Sequence, residues 1–139
     1  MSLPRKLAHI ARLPMRWGDM DAYGHVNNTV YFRYMEQARI DWIEQFGIKV
    51  GPENGHGPVI INASCTFLMP LTYPGEVEIR TFIGALGRSS IETFCEFRVV
   101  GDERLYAEGA SKVVWMDVAT GKSVALPEHV RSALEALPG

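Results

Sequence analysis

The chain has 139 residues, 47% of them hydrophobic and 22% charged, with a formal net charge of −2. That length and balance describe one domain, spanning residues 1–139, with enough core to do without a metal or disulfide staple. The scattered Lys and Arg exclude a nucleic-acid backbone binder, and no run reaches the ~20 apolar residues of a membrane span.

The elements follow in chain order. Met1–Pro14 is basic at Arg5, Lys6 and Arg12 but lacks the apolar core of a signal peptide, so the expected compartment is the cytoplasm. Ile10–Trp17 reads as a short first strand. A polar, turn-forming stretch from Gly18 to Asn28 follows, and a helix is predicted to begin after it with Asn27 or Asn28 as N-cap. Tyr31, Met35, Ala38, Trp42 and Phe46 form one apolar stripe at helical spacing, and Gly47 is placed to stop the helix. Glu36 and Arg39, three apart, are spaced to pair. Gly51–Pro58 is a Gly/Pro/Asn loop.

Beyond the loop the period changes from helical to two. Val59–Met69 is apolar and β-branched. Val77, Ile79, Thr81 and Ile83 alternate with charged residues, as do Ile91, Thr93, Cys95, Phe97 and Val99. Leu105–Met116 is a further strand, and Pro127–Leu137 a short terminal helix. The order is strand, long helix, then four antiparallel strands in a meander. One helix cannot cover both faces of five strands, so the sheet must curl around it, pair with a second subunit, or both. Cys65 and Cys95 both fall in strand-like runs and are expected as free thiols of a reducing compartment; their spacing does not suit zinc.

Chemistry concentrates between Asp19 and Asn28, where two carboxylates, an imidazole and two amides precede a helix. A helix start offers unsatisfied N–H groups and a positive dipole end, suited to an oxyanion developing on a carbonyl. A carboxylate beside it can attack that carbonyl or activate water. Asp19, Asp21 and Asn27 are also residue types that cap turns and helices, and Asp19 is assigned to that task.

Arg16-Trp17-Gly18-Asp19-Met20-Asp21-Ala22-Tyr23-Gly24-His25-Val26-Asn27-Asn28, followed by Tyr31, Glu36 and Arg39, resembles the 4-hydroxybenzoyl-CoA thioesterase superfamily. The likeness is to its acyl-CoA thioesterase branch, with Asp-x-Asp-x-x-Gly-His-Val-Asn-Asn, and it covers nearly the whole chain. It implies an α+β hot-dog fold, an antiparallel sheet of about five strands wrapped around one long central helix. It also implies hydrolysis of a fatty acyl-CoA thioester to free acid and CoA. The family's catalytic carboxylate falls on Asp21, as nucleophile or general base. The carbonyl is polarised by the backbone N–H of Asn28, with His25 in support. Arg88, Ser89 and Ser90, and more weakly Lys112, fall where the family meets the CoA phosphates, for which arginine's fork of donors is suited. The resemblance further implies a homodimer or homotetramer with the site at a subunit interface. No metal or cofactor is expected, CoA being part of the substrate.

The namesake enzymes carry Pro-Ala-Gly after the aspartate and apolar or aromatic residues at the places of His25, Asn27 and Asn28. That departure turns the expectation towards an aliphatic acyl group. Alternatives on the same scaffold are a non-catalytic acyl-CoA binding protein and a 3-hydroxyacyl thioester dehydratase. A metal hydrolase using Asp19, Asp21 and His25 is a third, without a distant ligand motif to support it.

Overall fold

The computed structural model describes residues 5–48 and 52–139. Gly51 of the expected loop and Met1–Pro4 of the basic N-terminal stretch lie outside them. Five strands and two helices follow in the order β1 (Lys6–Pro14), α1 (Asn28–Glu44), β2 (His56–Phe67), β3 (Glu76–Leu86), β4 (Ser90–Val99), β5 (Asp102–Asp117) and α2 (Glu128–Glu135).

Helix α1 starts where its cap chemistry puts it. Asn27 sits in extended backbone, and its side chain accepts from the N–H of Thr29 at 3.0 Å. The buried face is Tyr31, Tyr34, Met35, Ala38, Trp42 and Ile43, with Phe46 partly covered. Gly47, at φ 74°, closes the last turn by donating to the carbonyl of Glu44. Glu36 does not pair with Arg39: it takes Arg33, at 3.0 Å on the solvent side. Arg39 lies half-buried over the sheet, and burial lowers its pKa.

All strand pairs are antiparallel, in the order β1-β3-β4-β5-β2. This corrects the expected four-strand meander. β3, β4 and β5 do run as a meander, but β2 crosses to the far edge and pairs with β5, Val59 opposite Val114 and Phe67 opposite Ala107. β1 occupies the edge of β3 that a meander would have given to β2. Strand periodicity says which face is apolar and not which edge is paired, so the crossover left no trace in the pattern. β1 starts earlier than expected, at Lys6, and β2 starts at His56, inside the expected loop.

The alternation itself places the inner face. Val77, Ile79, Thr81 and Ile83 on β3 and Ile91, Thr93, Cys95 and Phe97 on β4 are all buried. Ala38 is 0% exposed where α1 meets the sheet. Gly109 on β5 permits that approach, because a Cβ there would come within 2.9 Å of both the sulfur and the methyl of Met35. Two clusters make the core. One joins the first half of α1 to Ile79 and Phe97. The other joins Trp42 and Ile43 to Ile83, Trp115 and the apolar face of α2. Trp42 and Trp115, at 2% and 0% exposure, each contribute about 2–3 kcal/mol by burial. Cys65 and Cys95 are both free; each is paired across to Gly109, so two strand spacings of roughly 4.8 Å separate them, too far for a disulfide.

β2 is different from the other strands. Its outer edge is unpaired among the described residues, and Val59, Ile61 and Phe67 on it, with Leu68 just beyond, are 42–51% exposed. Among the described residues no helix is long and apolar enough to cross a membrane.

Candidate active site

The residues between β1 and α1 fold into a small knot of backbone hydrogen bonds. The N–H of Asp21 donates to the carbonyl of His25 (2.9 Å), and Gly24 donates to Asp21 (3.0 Å). Gly24 has φ 78°, a conformation that glycine adopts without steric cost. A third bond, Asn27 N–H to the Asp19 carbonyl at 2.9 Å, closes the knot at the helix start, and Val26 N–H to the Leu71 carbonyl at 2.8 Å ties it to the body. The N–H of Leu71 in turn donates to the buried hydroxyl of Tyr31 (3.3 Å). The loop that carries the carboxylates is therefore held by α1 on one side and by the β2–β3 connection on the other.

The two aspartates face different ways. Asp19 is a structural brace: Oδ2 accepts from Tyr34 Oη at 2.7 Å and from the N–H of Arg16 at 3.0 Å. Burial, and then that carboxylate, push the Tyr34 hydroxyl well above its ordinary value, keeping it a donor. Asp21 is exposed and faces a cleft of about 440 Å³. Its Oδ1 accepts from Tyr23 N–H at 2.9 Å, fixing the carboxylate plane. Among the described residues its Oδ2 has only the Asn27 amide, at 3.5 Å.

His25 and Asn28 line the same cleft, opposite an apolar wall of Phe67, Leu68 and Met69. Asn28 is the first helical residue, and its N–H has no acceptor among the described residues. Phe67 packs edge-on against Tyr31, centroids 4.8 Å apart. One cleft therefore holds a carboxylate with a free oxygen, an imidazole and an open N–H at the positive end of a 17-residue helix. Asp19 is turned away, and among the described residues no group of three or more His, Cys, Asp or Glu is arranged to hold a metal ion.

Arg88, Ser89 and Ser90 are not brought to this cleft within one chain. They form the β3–β4 turn at the level of Val59 and Val114, whereas Asp21 lies beside Phe67–Pro70. Eight residues of β2 separate the two levels, roughly 26 Å at 3.3 Å per residue. Lys112 lies on the outer sheet face between Asn62 and Glu92, also away from the cleft. The Phe67–Met69 wall was only partly foreseeable. All three fall in the apolar run Val59–Met69, but the crossover that sets them opposite Asp21 has no sequence signal.

An antiparallel sheet wrapped on a single helix, with a carboxylate beside the open helix N-terminus, is the architecture of the hot-dog thioester hydrolases. Residues 15–134 match the thioesterase-like superfamily, and the chain belongs to it as a thioester hydrolase. Its structure is similar to that of the PA2801 protein of Pseudomonas aeruginosa, described as a candidate thioesterase. The two are 40% identical with a TM-score of 0.89, over 93% of this chain and 99% of that one. The BH1999 gentisyl-coenzyme A thioesterase is 28% identical with a TM-score of 0.79, over 88% and 99% of the respective chains. The chloroplastic acyl-acyl carrier protein thioesterase ATL2 of Arabidopsis thaliana is 28% identical over 128 residues, 89% of this chain and 66% of that one.

Proposed function

We propose that this protein hydrolyses an aliphatic acyl-CoA to free acid and CoA, with Asp21 as the catalytic carboxylate. The observation that carries the reading is the presence, in one cleft, of Asp21, whose Oδ2 takes only a 3.5 Å bond from the Asn27 amide among the described residues, and of Asn28, whose N–H has no acceptor among them. The thioester carbonyl oxygen points at that N–H, where the helix dipole stabilises charge as the carbonyl carbon becomes tetrahedral. Asp21 takes a proton from water, and the resulting hydroxide adds to the carbon. Collapse expels the thiolate, which recovers the proton. Direct attack by Oδ2 is the other route: it expels the thiolate first and leaves an anhydride for water to cleave. His25, exposed in the same cleft, supports the bound substrate. This chemistry calls for no metal or redox group.

The site is completed by a second copy. β2 presents an unpaired, partly apolar edge of 12 residues, a template for another strand. Two-fold antiparallel pairing of β2 with β2, centred on Ala63, sets Phe67 of one protomer beside Val59 of its partner. The partner subunit's Arg88 turn is then carried to the Asp21 end of the first. The 26 Å gap within one chain becomes a short step between two, leaving Arg88, Ser89 and Ser90 to grip the CoA phosphates across the interface. A homodimer, or a homotetramer built from two of them, follows. The free, well-separated Cys65 and Cys95 support a reducing, cytoplasmic setting.

Release of free thiol from a panel of acyl-CoAs tests the reading. It should include straight chains of several lengths and an aromatic hydroxybenzoyl type, the class nearest the substrate for which the gentisyl relative is named. Wild type should favour the straight chains, and Asp21→Asn, folded and still binding, should lose about 10²–10⁴-fold in kcat. A rate equal to wild type in Asp21→Asn would remove Asp21 from the mechanism, and preference for the aromatic thioester would reverse the substrate class. Label found in the Asp21 carboxylate after single turnover in heavy-oxygen water would establish direct attack with cleavage of the anhydride at the aspartyl carbonyl, because general-base hydrolysis labels the product acid alone.

A further inference from the structure

The β3–β4 turn is held in an unusual way, by the C-terminal segment and not by its own hairpin alone. Gly87 N–H donates to the Ser90 carbonyl (2.9 Å) and closes the hairpin. The remaining carbonyls of the turn all point inward and are all taken. Trp115 N–H binds the Ser89 carbonyl at 2.7 Å, and Leu126 N–H binds the Arg88 carbonyl at 2.9 Å. The guanidinium of Arg131, on α2, reaches back across 44 positions of sequence to the Gly87 carbonyl at 2.5 Å and the Arg88 carbonyl at 3.1 Å. The donor ends of the turn are left open: the N–H groups of Arg88 and Ser89 have no acceptor among the described residues, and the Arg88 side chain is exposed.

This is a separation of polarity. A peptide turn presents carbonyl oxygens and N–H groups in equal number, and an anion is repelled by the first and held by the second. Withdrawing every carbonyl into hydrogen bonds leaves two successive N–H groups without an acceptor among the described residues, beside two partly exposed serines and an exposed guanidinium. Arg131 is rigidly based for this task, because its neighbours on α2, Val130 and Leu134, are 0% and 1% exposed in the core. Its planar fork donates to two carbonyls at once, which a point charge does less well.

We infer that Arg131 is a positioning residue: it locks the carbonyls of Gly87 and Arg88 inward and so presets the β3–β4 turn as a receptor for the phosphate groups of the CoA nucleotide. The inference rests on the reading that the Arg88 turn binds CoA, and it adds α2 as the element that shapes that turn. Arg131 works through the turn and does not touch the reacting thioester, so its effect belongs to binding of the nucleotide end alone.

The test compares one acyl group carried on CoA with the same group carried on pantetheine, which lacks the nucleotide and its phosphates. Arg131→Leu should raise KM for the acyl-CoA about tenfold, the scale of hydrogen bonds made by a charged donor, with kcat unchanged. The acyl-pantetheine kinetics should stay at the wild-type value. Arg131→Lys should restore part of the acyl-CoA KM; should the Leu variant fail to fold, the Lys variant carries the comparison, with a smaller KM rise confined to the acyl-CoA. Equal losses on both substrates would overturn the inference, since a general structural role gives that result. A wild-type KM in Arg131→Leu, alongside a raised KM in Arg88→Ala, would also overturn it while leaving the turn's role intact. If neither variant changes the acyl-CoA KM, the turn is not the phosphate site, and the inference falls with the reading beneath it.

Discussion

At the scale of single residues, the pair Asp19 and Asp21 shows how one Asp-x-Asp motif divides its labour. Their carboxylates sit two positions apart on a tight loop and so point to opposite sides. Asp19 is consumed by hydrogen bonds from Tyr34 and Arg16, and Asp21 keeps one oxygen open to the cleft. Tyr34 is 7% exposed and reaches Asp19 from the first turns of α1, so its hydroxyl sets the loop against the helix. Tyr34→Phe should therefore cost about 1–2 kcal/mol of stability, read from urea melts, because a charge-assisted bond is lost and an acceptor is left short. It should also lower kcat more than it raises KM, since Asp21 and Asn28 lose their fixed separation. Unchanged stability and rate would show that the loop holds its shape without the brace.

At the scale of elements, β2 is the strand whose environment least matches its sequence. It carries apolar residues on the edge of the sheet, including Ile61 at 49% exposure beside a bulge, whereas the alternating apolar residues of β3 and β4 are buried. Ile61→Lys places a charge where the proposed partner strand would dock. As a surface change in the single chain it should move stability by no more than about 0.5 kcal/mol. In the assembly it should shift the species to monomer by light scattering and remove most of the hydrolytic activity, because the cleft loses the partner's turn. An active monomer would mean that the site is complete in one chain. The same element-level reasoning assigns α2 a double part: its apolar face closes one end of the core, and Arg131 reaches from it to the β3–β4 turn.

At the scale of the whole molecule, three carboxylates tie stability to pH. Glu78 is pushed up by burial, but hydrogen bonds from Arg80 at 2.8 Å and Arg12 at 3.2 Å prevail and hold it below the usual range. Asp102 is held low by Arg104 and Tyr106, and Asp117 by the backbone N–H and then the hydroxyl of Thr120. A carboxyl with a lowered folded-state pKa stabilises fully above its unfolded value and loses that contribution as pH falls through the folded one. In thermal melts the share of stability these carboxylates supply should thus hold from about pH 7 to about pH 5 and fall away below about pH 4, while His9, whose pKa burial lowers, adds a shallower loss as pH drops through about 6.5. Glu78→Gln should flatten that drop. A melting temperature independent of pH over this range would mean that the same groups are held low in the unfolded chain as well.

Much of this protein was legible before any coordinates. Helix α1, a cap at Asn27 or Asn28 and a stop at Gly47 follow from cap chemistry and a 3.6-residue stripe, both local; the structure puts the cap on Asn27. The inner faces of β3 and β4 follow from alternation, which is local too. The run from Asp19 to Asn28 reads as a carboxylate loop feeding a helix start, because all its parts lie within ten residues of each other. Tertiary structure alone decided the rest: that β2 leaves the meander for the far edge, that Phe67 and Leu68 wall the cleft, and that Arg131 holds a turn 44 positions away. The reason is one of range. Capping, helical pairing and strand alternation act between near neighbours and leave a pattern in the chain. Edge choice and carbonyl capture depend on which distant surfaces are buried together, and no spacing in the sequence encodes that.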